Sequence, residues 1–180
     1  MKKKSKTICI IPARGGSKGL PGKNLRLFNS KPLIAWPIIA AKRCKNIDTV
    51  IVTTDSEEIA TQAKLFGASV PSLRPSHLAQ DNSTTETTLK YALNSFEKST
   101  KQHFDICVFL TCTDIFRDTE WITSAVKKLE NNEALESVFA ANPTHKNFWH
   151  KDKAGKLKRV TKKMEVYSSR QEKEPIYRED

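Results

Sequence analysis

The chain has 180 residues, of which 38% are hydrophobic and 28% charged, and this composition excludes a disordered or disulfide-dense protein and suits one domain with a sizeable core. The formal net charge of +11 would suit nucleic-acid binding, because cationic side chains neutralise phosphates. Much of the excess lies in two runs, 2–6 and 151–163, that are typical of solvated tails, so we expect no nucleic-acid partner.

The start of the chain carries no export signal that we can identify. The apolar run 8–11 is far shorter than the core of a signal peptide, and no other window approaches the length of a membrane span. The cysteines at positions 9, 44, 107 and 112 lack the Cys-x-x-Cys spacing of zinc or redox sites. We therefore expect a cytoplasmic protein with reduced structural thiols and no membrane partner.

The first predicted elements alternate between strand and helix. A β-branched apolar segment predicts a buried strand over Thr7–Pro12, and a glycine-rich loop follows over 13–24. Pro32 suits the first turn of a helix, which Pro37 should kink or delay. The next apolar segment predicts a second strand over Thr49–Thr53.

The pattern continues after the second strand. Asp55 with Glu58 predicts a capped helix start, and Gly67 predicts its end. Trp121 lies on an apolar helical stripe, so it is expected in the core. The later predicted elements are a helix that starts at 83–86, a strand over 105–110, a helix over 118–129 and a strand over 137–141.

This alternation predicts an α/β domain over 1–141 with a doubly wound, mostly parallel sheet. From residue 142 to residue 180 the pattern breaks into a polar, lysine-rich stretch that is long for a loop inside a compact domain. Phe148 and Trp149 lie within it, and exposed aromatics tend to mark interfaces. We expect either an arm that packs on a partner subunit or a poorly ordered tail.

The loop 13–24 reads ARGGSKGLPGKN and directly follows the first strand. Ligands of open α/β sheets bind at the carboxyl ends of the strands, and glycines let backbone N–H groups turn toward a ligand. Arg14, Lys18 and Lys23 add positive charge. The loop therefore predicts a triphosphate site, against the alternative of a flexible surface turn.

Two common phosphate motifs do not match this loop. A Walker A sequence would need glycine at Ser17 and a hydroxyl at Asn24. The dinucleotide fingerprint fails because the glycines fall at positions 15, 16, 19 and 22. The loop thus predicts neither a P-loop NTPase nor a nicotinamide enzyme.

The run 11–24 resembles the signature of the CMP-sugar synthetases, and especially of the acylneuraminate cytidylyltransferases. The similarity covers nearly the whole chain. It continues through 31–34, 52–60, Arg74 with Pro75, 78–81, and Arg170 and Gln171 with Pro175 and Tyr177.

The resemblance implies a three-layer, Rossmann-like fold of the nucleotide-diphospho-sugar transferase type. It implies a reaction in which the anomeric hydroxyl of a 2-keto-3-deoxy acid sugar attacks the α-phosphorus of CTP and pyrophosphate leaves. Mg²⁺ would be the cofactor, and the protein would be a homodimer. The sugar would be a nine-carbon, sialic-acid-like acid, or a neighbour such as legionaminic acid or the eight-carbon lipopolysaccharide acid.

The resemblance also implies site residues at matching positions. Arg14 and Lys23 would be catalytic, because they would neutralise charge on the leaving pyrophosphate. The implied nucleotide-binding residues are Ala13, Arg14, Gly15, Lys18, Lys23, Asn24, Arg74 and Ser83. The implied sugar-binding residues are Thr111, Arg170, Gln171 and Tyr177.

Two features depart from the family pattern. Thr111 stands where family members usually carry a glutamine, and Asp114 is either a metal ligand at a strand end or, by preference, a helix N-terminal residue. The family's magnesium-binding carboxylate pair lies on a later strand, and the sequence stops at Asp180 before any match. We expect a truncated sequence or an impaired catalyst, with the metal ligands unknown.

Rival functions remain open on the sequence. One is a nucleotidyltransferase that acts on another sugar or uses another nucleoside triphosphate. Another is a non-catalytic or degenerate nucleotide-binding relative. Nucleic-acid binding through the lysine-rich ends is the least favoured.

Overall fold

The computed structural model describes residues 5–80, 83–144, 148–160 and 176–179. The chain divides into two compact units, Met1–Val138 and Phe139–Asp180, and each is described by itself. No helix among the described residues combines the length and the apolarity that are needed to span a bilayer.

The elements of the first unit follow the predicted alternation. Its strands are β1 (Thr7–Pro12), β2 (Leu27–Phe28), β3 (Lys31–Pro32), β4 (Thr49–Thr53) and β5 (Ile106–Phe109). Its α-helices are α1 (Ala35–Arg43), α2 (Glu57–Leu65), α3 (Thr85–Thr100) and α4 (Thr119–Asn131). The strands β2 and β3 form a separate antiparallel pair.

The central sheet has the order β4-β1-β5 and all its pairings are parallel. In the register, Ile10 of β1 pairs with Ile51 of β4 on one side and with Phe109 of β5 on the other. As the middle strand, β1 has fully buried side chains over residues 8–11. This explains why its sequence is apolar on both faces.

Helices cover both faces of the sheet. Cys9 and Ile11 of β1 pack in one core cluster that includes buried residues of α1, α2 and α4. Ile8 and Ile10 pack in a second cluster with Ala92 and Phe96 of α3. The arrangement confirms the predicted three-layer α/β class with a parallel sheet.

Two helix starts differ from the sequence prediction. Pro32 lies in β3, where it pairs with Leu27, so α1 begins only at Ala35. Pro37 falls in the first turn, where a backbone N–H has no helical partner in any case. The cap of α2 is Ser56, whose Oγ accepts from the Ile59 amide at 3.3 Å. The predicted capping role of Asp55 is therefore wrong.

Two further predictions are wrong. Trp121 on α4 is 54% exposed, while Ile122 and Val126 fill the buried stripe instead. The predicted strand 137–141 is not formed, because the first strand after α4 is Ala141–Thr144, which pairs with Ile176–Glu179. Strand formation depends on an available partner as much as on β-propensity, and here the partner selects the later residues.

The described residues of the second unit form two antiparallel strand pairs. The strands β6 (Ala141–Thr144) and β9 (Ile176–Glu179) form one pair, and β7 (Trp149–Lys151) and β8 (Leu157–Arg159) form the other. Asp152 organises the turn between β7 and β8, since its Oδ1 accepts from the Ala154 and Lys156 amides at 3.0 Å each.

Candidate functional site

A cavity of about 540 Å³ opens at the carboxyl end of β1. Its wall combines residues between 12 and 24, between 74 and 88, and between 111 and 113. The first and third segments lie at the carboxyl ends of the neighbouring parallel strands β1 and β5, and the second runs into the first turn of α3. This is the edge at which open α/β sheets bind ligands.

The cavity wall is strongly cationic. Arg14, Lys18, Lys23 and Arg74 all line it, and no Asp or Glu occurs among the described lining residues. A concave wall with one sign of charge raises the local concentration of ligands of the opposite sign. The cavity is therefore suited to an anionic ligand.

The root of the loop is attached to the turn that follows β4. The Ala13 amide donates to the Thr53 carbonyl oxygen at 3.0 Å, and the Gly15 amide donates to Asp55 Oδ1 at 2.9 Å. A Cβ at position 15 would lie 3.2 Å from Ser56 Cβ, closer than ordinary contact. The described lining of the cavity does not include Ala13 or Gly15; both fix the loop instead.

Asn24 closes the other end of the loop. Gly22 adopts a left-handed conformation with φ 63°, and a short 3-10 turn, Lys23–Leu25, follows in place of the irregular structure predicted there. Asn24 is 4% exposed, and its Nδ2 donates to the Arg14 carbonyl oxygen at 2.9 Å. Its Oδ1 is buried and has no hydrogen-bond partner among the described residues.

Arg74 is the most buried cation of the wall, at 6% exposure. Its amide donates to the Thr54 carbonyl oxygen at 2.7 Å, and its Nη2 lies 3.8 Å from Asp55 Oδ1. Burial lowers the pKa of the Arg74 guanidinium, and the Asp55 carboxylate opposes that change. Its Nε is buried and has no hydrogen-bond partner among the described residues.

Ser83, the remaining predicted nucleotide residue, also lines the cavity. Its hydroxyl donates to the His77 carbonyl oxygen at 3.0 Å, and its amide donates to the Gln80 carbonyl oxygen at 3.1 Å. Because its proton is committed, the Ser83 oxygen is available mainly as an acceptor.

The segment after β5 supplies the third part of the wall. Thr111 lines the cavity, and its carbonyl oxygen accepts from Arg117 Nη1 at 3.4 Å. Burial raises the pKa of Cys112 to about 12, although Lys23 and Arg117 act in the opposite direction. Cys112 is thus a protonated wall residue and a poor nucleophile.

Asp114 does not have the helix-terminal role that we preferred for it. Its Oδ2 forms an ion pair with Arg117 Nη2 at 3.0 Å. The N-cap of α4 is Asp118, whose Oδ1 accepts from the Glu120 amide at 2.9 Å, because the helix begins only at Thr119. Among the described residues, no group of three or more His, Cys, Asp or Glu side chains could hold a metal ion.

The other predicted sugar-side residues belong to the second unit. Tyr177 lies on β9 of the second unit and is 70% exposed. Arg170 and Gln171 fall outside the residues that the structure describes.

The residue that sequence reasoning missed is Asp55. A signal for it existed, because Thr54 and Asp55 directly follow β4, whose carboxyl end lies beside that of β1. We attributed Asp55 to a helix cap on local spacing alone, whereas it contacts Gly15, 40 residues away in sequence.

Comparison with known proteins gives one family. The family model described as Cytidylyltransferase matches residues 8–180. The chain is 44% identical over 120 residues to the CMP-N,N'-diacetyllegionaminic acid synthase of Legionella pneumophila. The aligned region covers 67% of this chain and 51% of that protein. It is 37% identical over 143 residues to the N-acylneuraminate cytidylyltransferase of Escherichia coli O18:K1:H7. This aligned region covers 79% of this chain and 33% of that protein.

A solved structure shares the fold. The structure of CMP:2-keto-3-deoxy-manno-octonic acid synthetase complexed with CTP superposes with a TM-score of 0.62 at 24% identity, over 73% of this chain and 50% of that one. At this identity the likeness concerns the fold alone. The chain spans about half or less of the length of these three proteins.

Proposed function

The chain belongs to the cytidylyltransferase family, and on that premise we propose that it couples CTP to a 2-keto-3-deoxy acid sugar, with release of pyrophosphate. The observation that carries the proposal is the cavity itself. Four cationic side chains and no described carboxylate line a space at the carboxyl end of β1, where a triphosphate would be neutralised.

In the proposed reaction the anomeric hydroxyl of the sugar loses its proton to water, and its oxygen forms a bond to the α-phosphorus of CTP. The bond from that phosphorus to the bridging oxygen breaks, and its electron pair leaves with pyrophosphate. Nucleotidyl transfer of this kind depends mainly on positioning and on electrostatic stabilisation. Arg14 and Lys23 would stabilise the charge that grows on the leaving group.

The nucleotide's hydroxyls and amine have matching partners in the wall. Asn24 Oδ1 has no donor among the described residues, and we propose that it accepts from a ribose hydroxyl or a base amine. Arg74 and Ser83 would contact the base and ribose side, while Lys18 would add charge beside the phosphates. Ala13 and Gly15 would act through the backbone that they anchor.

We propose Mg²⁺ as the metal, although the described residues include no group of three or more His, Cys, Asp or Glu side chains that could hold it. Asp55 is engaged by Gly15 and Arg74, and Asp114 is engaged by Arg117. Magnesium is often held largely by substrate phosphates and water, with only one or two carboxylates from the protein. We therefore assign no described residue as a ligand of the ion.

For the sugar, we propose a nine-carbon, sialic-acid-like acid such as legionaminic acid, with the eight-carbon acid as the alternative. The similarity to the Legionella synthase supports this choice. Thr111 at the cavity wall would contact the sugar, together with Arg170, Gln171 and Tyr177. An arginine fork at position 170 would suit the sugar carboxylate.

We also propose a homodimer through residues 142–180 and a cytoplasmic location. Trp149 is 51% exposed and Phe148 is also exposed, which suits a subunit contact. A location in the cytoplasm suits an enzyme that consumes a nucleoside triphosphate.

A second candidate is a nucleotide-binding protein without turnover. The absence of a carboxylate cluster among the described residues favours it. Such a protein would bind CTP in the same cavity but would release no pyrophosphate when sugar and Mg²⁺ are added.

The test measures pyrophosphate release from CTP, Mg²⁺ and a 2-keto-3-deoxy acid sugar, with UTP, ATP and GTP as competitors. We expect release that depends on the sugar and prefers CTP. Calorimetric binding of CTP without release would favour the second candidate. Equal use of the other nucleotides would contradict the cytidylyl assignment.

A further inference from the structure

The turn after β4, residues 53–56, contacts both cationic segments of the cavity wall. It holds the phosphate loop through the hydrogen bond from the Ala13 amide to the Thr53 carbonyl oxygen. It holds the second segment through the hydrogen bond from the Arg74 amide to the Thr54 carbonyl oxygen. The two segments are therefore positioned from one short stretch of chain.

Asp55 lies at the centre of this turn and adds a side-chain link to each segment. Its Oδ1 accepts from the Gly15 amide at 2.9 Å and lies 3.8 Å from Arg74 Nη2. Its side chain is 27% exposed, and it is not among the described lining residues of the cavity. Asp55 thus contacts both segments without lining the space that a ligand would fill.

We propose that Asp55 is a positioning residue whose carboxylate aligns the phosphate loop and the Arg74 guanidinium for CTP. The inference rests on the proposed function, since it concerns the same ligand. Asp55 acts through Gly15 and Arg74 and contacts no reacting atom.

The energetics of a buried cation support this assignment. Arg74 is almost fully buried, and removal of one partner from a buried charge pair leaves the other charge uncompensated. The Asp55 carboxylate favours the charged form of Arg74, whose pKa burial lowers. Without that carboxylate, the guanidinium would lose the ion pair that holds it beside Asp55 and would be free to turn toward water or toward a different acceptor.

A merely structural carboxylate offers a matched control. Asp48 Oδ2 accepts from the Thr7 amide at 2.8 Å, at the opposite end of β1 from the cavity. Both aspartates therefore accept a backbone N–H at an end of β1. If the Asp55 carboxylate only stabilised the fold, substitution of Asp55 and substitution of Asp48 should change CTP affinity by similar factors.

The experiment is calorimetric titration of CTP into the full chain without sugar. Asp55→Asn keeps a neutral acceptor for the Gly15 amide but removes the charge that faces Arg74. We expect it to weaken CTP binding by about tenfold, whereas Asp48→Asn changes it by less than about twofold. In an Arg74→Ala background, the effect of Asp55→Asn should fall below about twofold.

The outcomes separate the inference from the proposed function. If the wild type binds no CTP, both are overturned. If the wild type binds CTP and Asp55→Asn binds it with the same affinity, only the role of Asp55 is overturned. The same conclusion holds if Asp55→Asn lowers CTP affinity by the same factor with and without Arg74→Ala. Should Asp55→Asn unfold by circular dichroism, Asp55→Glu replaces it; this variant keeps the charge but displaces the carboxylate, and wild-type affinity would then overturn the inference.

Discussion

The two units of the chain differ in how they bury apolar side chains. In the first unit, residues 8–11 of β1 are completely buried between helices. In the second unit, no described residue is buried, and large side chains such as Phe139, Trp149 and Tyr177 are exposed. The first unit has its own core, whereas the described strands of the second unit are joined mainly by backbone pairing.

This difference separates the nucleotide side of the proposed reaction from the rest. The residues predicted for CTP lie in a unit whose folding alone positions them, through contacts such as those of Ala13 and Gly15. Isolated two-stranded pairs are marginally stable in water, and exposed apolar side chains tend to mark interfaces. Apart from Thr111, the residues that we propose for the sugar and for the dimer belong to this second unit.

The largest expected effect tests the contrast in burial directly. Ile10→Ala empties a fully buried site and should lower the free energy of unfolding by about 2–5 kcal/mol. Trp149→Ala, at an exposed site, should change it by less than about 0.5 kcal/mol. Urea denaturation followed by circular dichroism measures both. Similar losses for the two variants would show that the second unit has a core of its own.

A smaller effect tests the anchoring of the loop in the first unit. Gly15→Ala brings a Cβ to 3.2 Å from Ser56 Cβ, and we expect a loss of about 1–3 kcal/mol in the free energy of unfolding, with weaker CTP binding. Gly16→Ala is the matched control, because a Cβ there meets nothing within 4 Å. If both variants are equally stable, the close approach of loop and turn does not exist in solution.

The smallest effect distinguishes helix capping from site positioning within the same turn. Ser56→Ala removes the cap of α2 and should cost about 1 kcal/mol of stability. It leaves the Asp55 carboxylate and the Ser56 Cβ in place, so CTP affinity should stay at the wild-type value. Thermal melts measure the stability of the variant, and calorimetry measures its CTP affinity. A loss of CTP affinity without a loss of stability would show that Ser56 positions the site and does not cap α2.

What could be predicted from the sequence depended on the range of the contacts involved. The strand Thr7–Pro12 and the loop after it are adjacent in the chain, so apolar pattern and glycine content were sufficient to locate the cavity. Asp55 was misassigned because its partners Gly15 and Arg74 lie 40 and 19 residues away, and local spacing favours the nearer role of a cap.

The remaining errors have the same origin. Trp121 lies on the predicted stripe of α4, but the rotation of that helix on the sheet leaves it exposed. The segment 137–141 has the composition of a strand, yet the pairing with Ile176–Glu179 selects 141–144 instead. Orientation and pairing are tertiary properties that periodicity alone does not specify.

The most direct test of the account is calorimetric titration of CTP into the wild type, Arg14→Ala, Lys23→Ala and Lys64→Ala. The last variant removes one exposed charge from α2, away from the described lining of the cavity. We predict that the two loop variants lower CTP affinity by about 100-fold while their far-UV spectra and melting temperatures stay unchanged, and that Lys64→Ala binds as the wild type does. Near-normal CTP affinity in both loop variants would contradict the claim that this loop binds the nucleotide's phosphates.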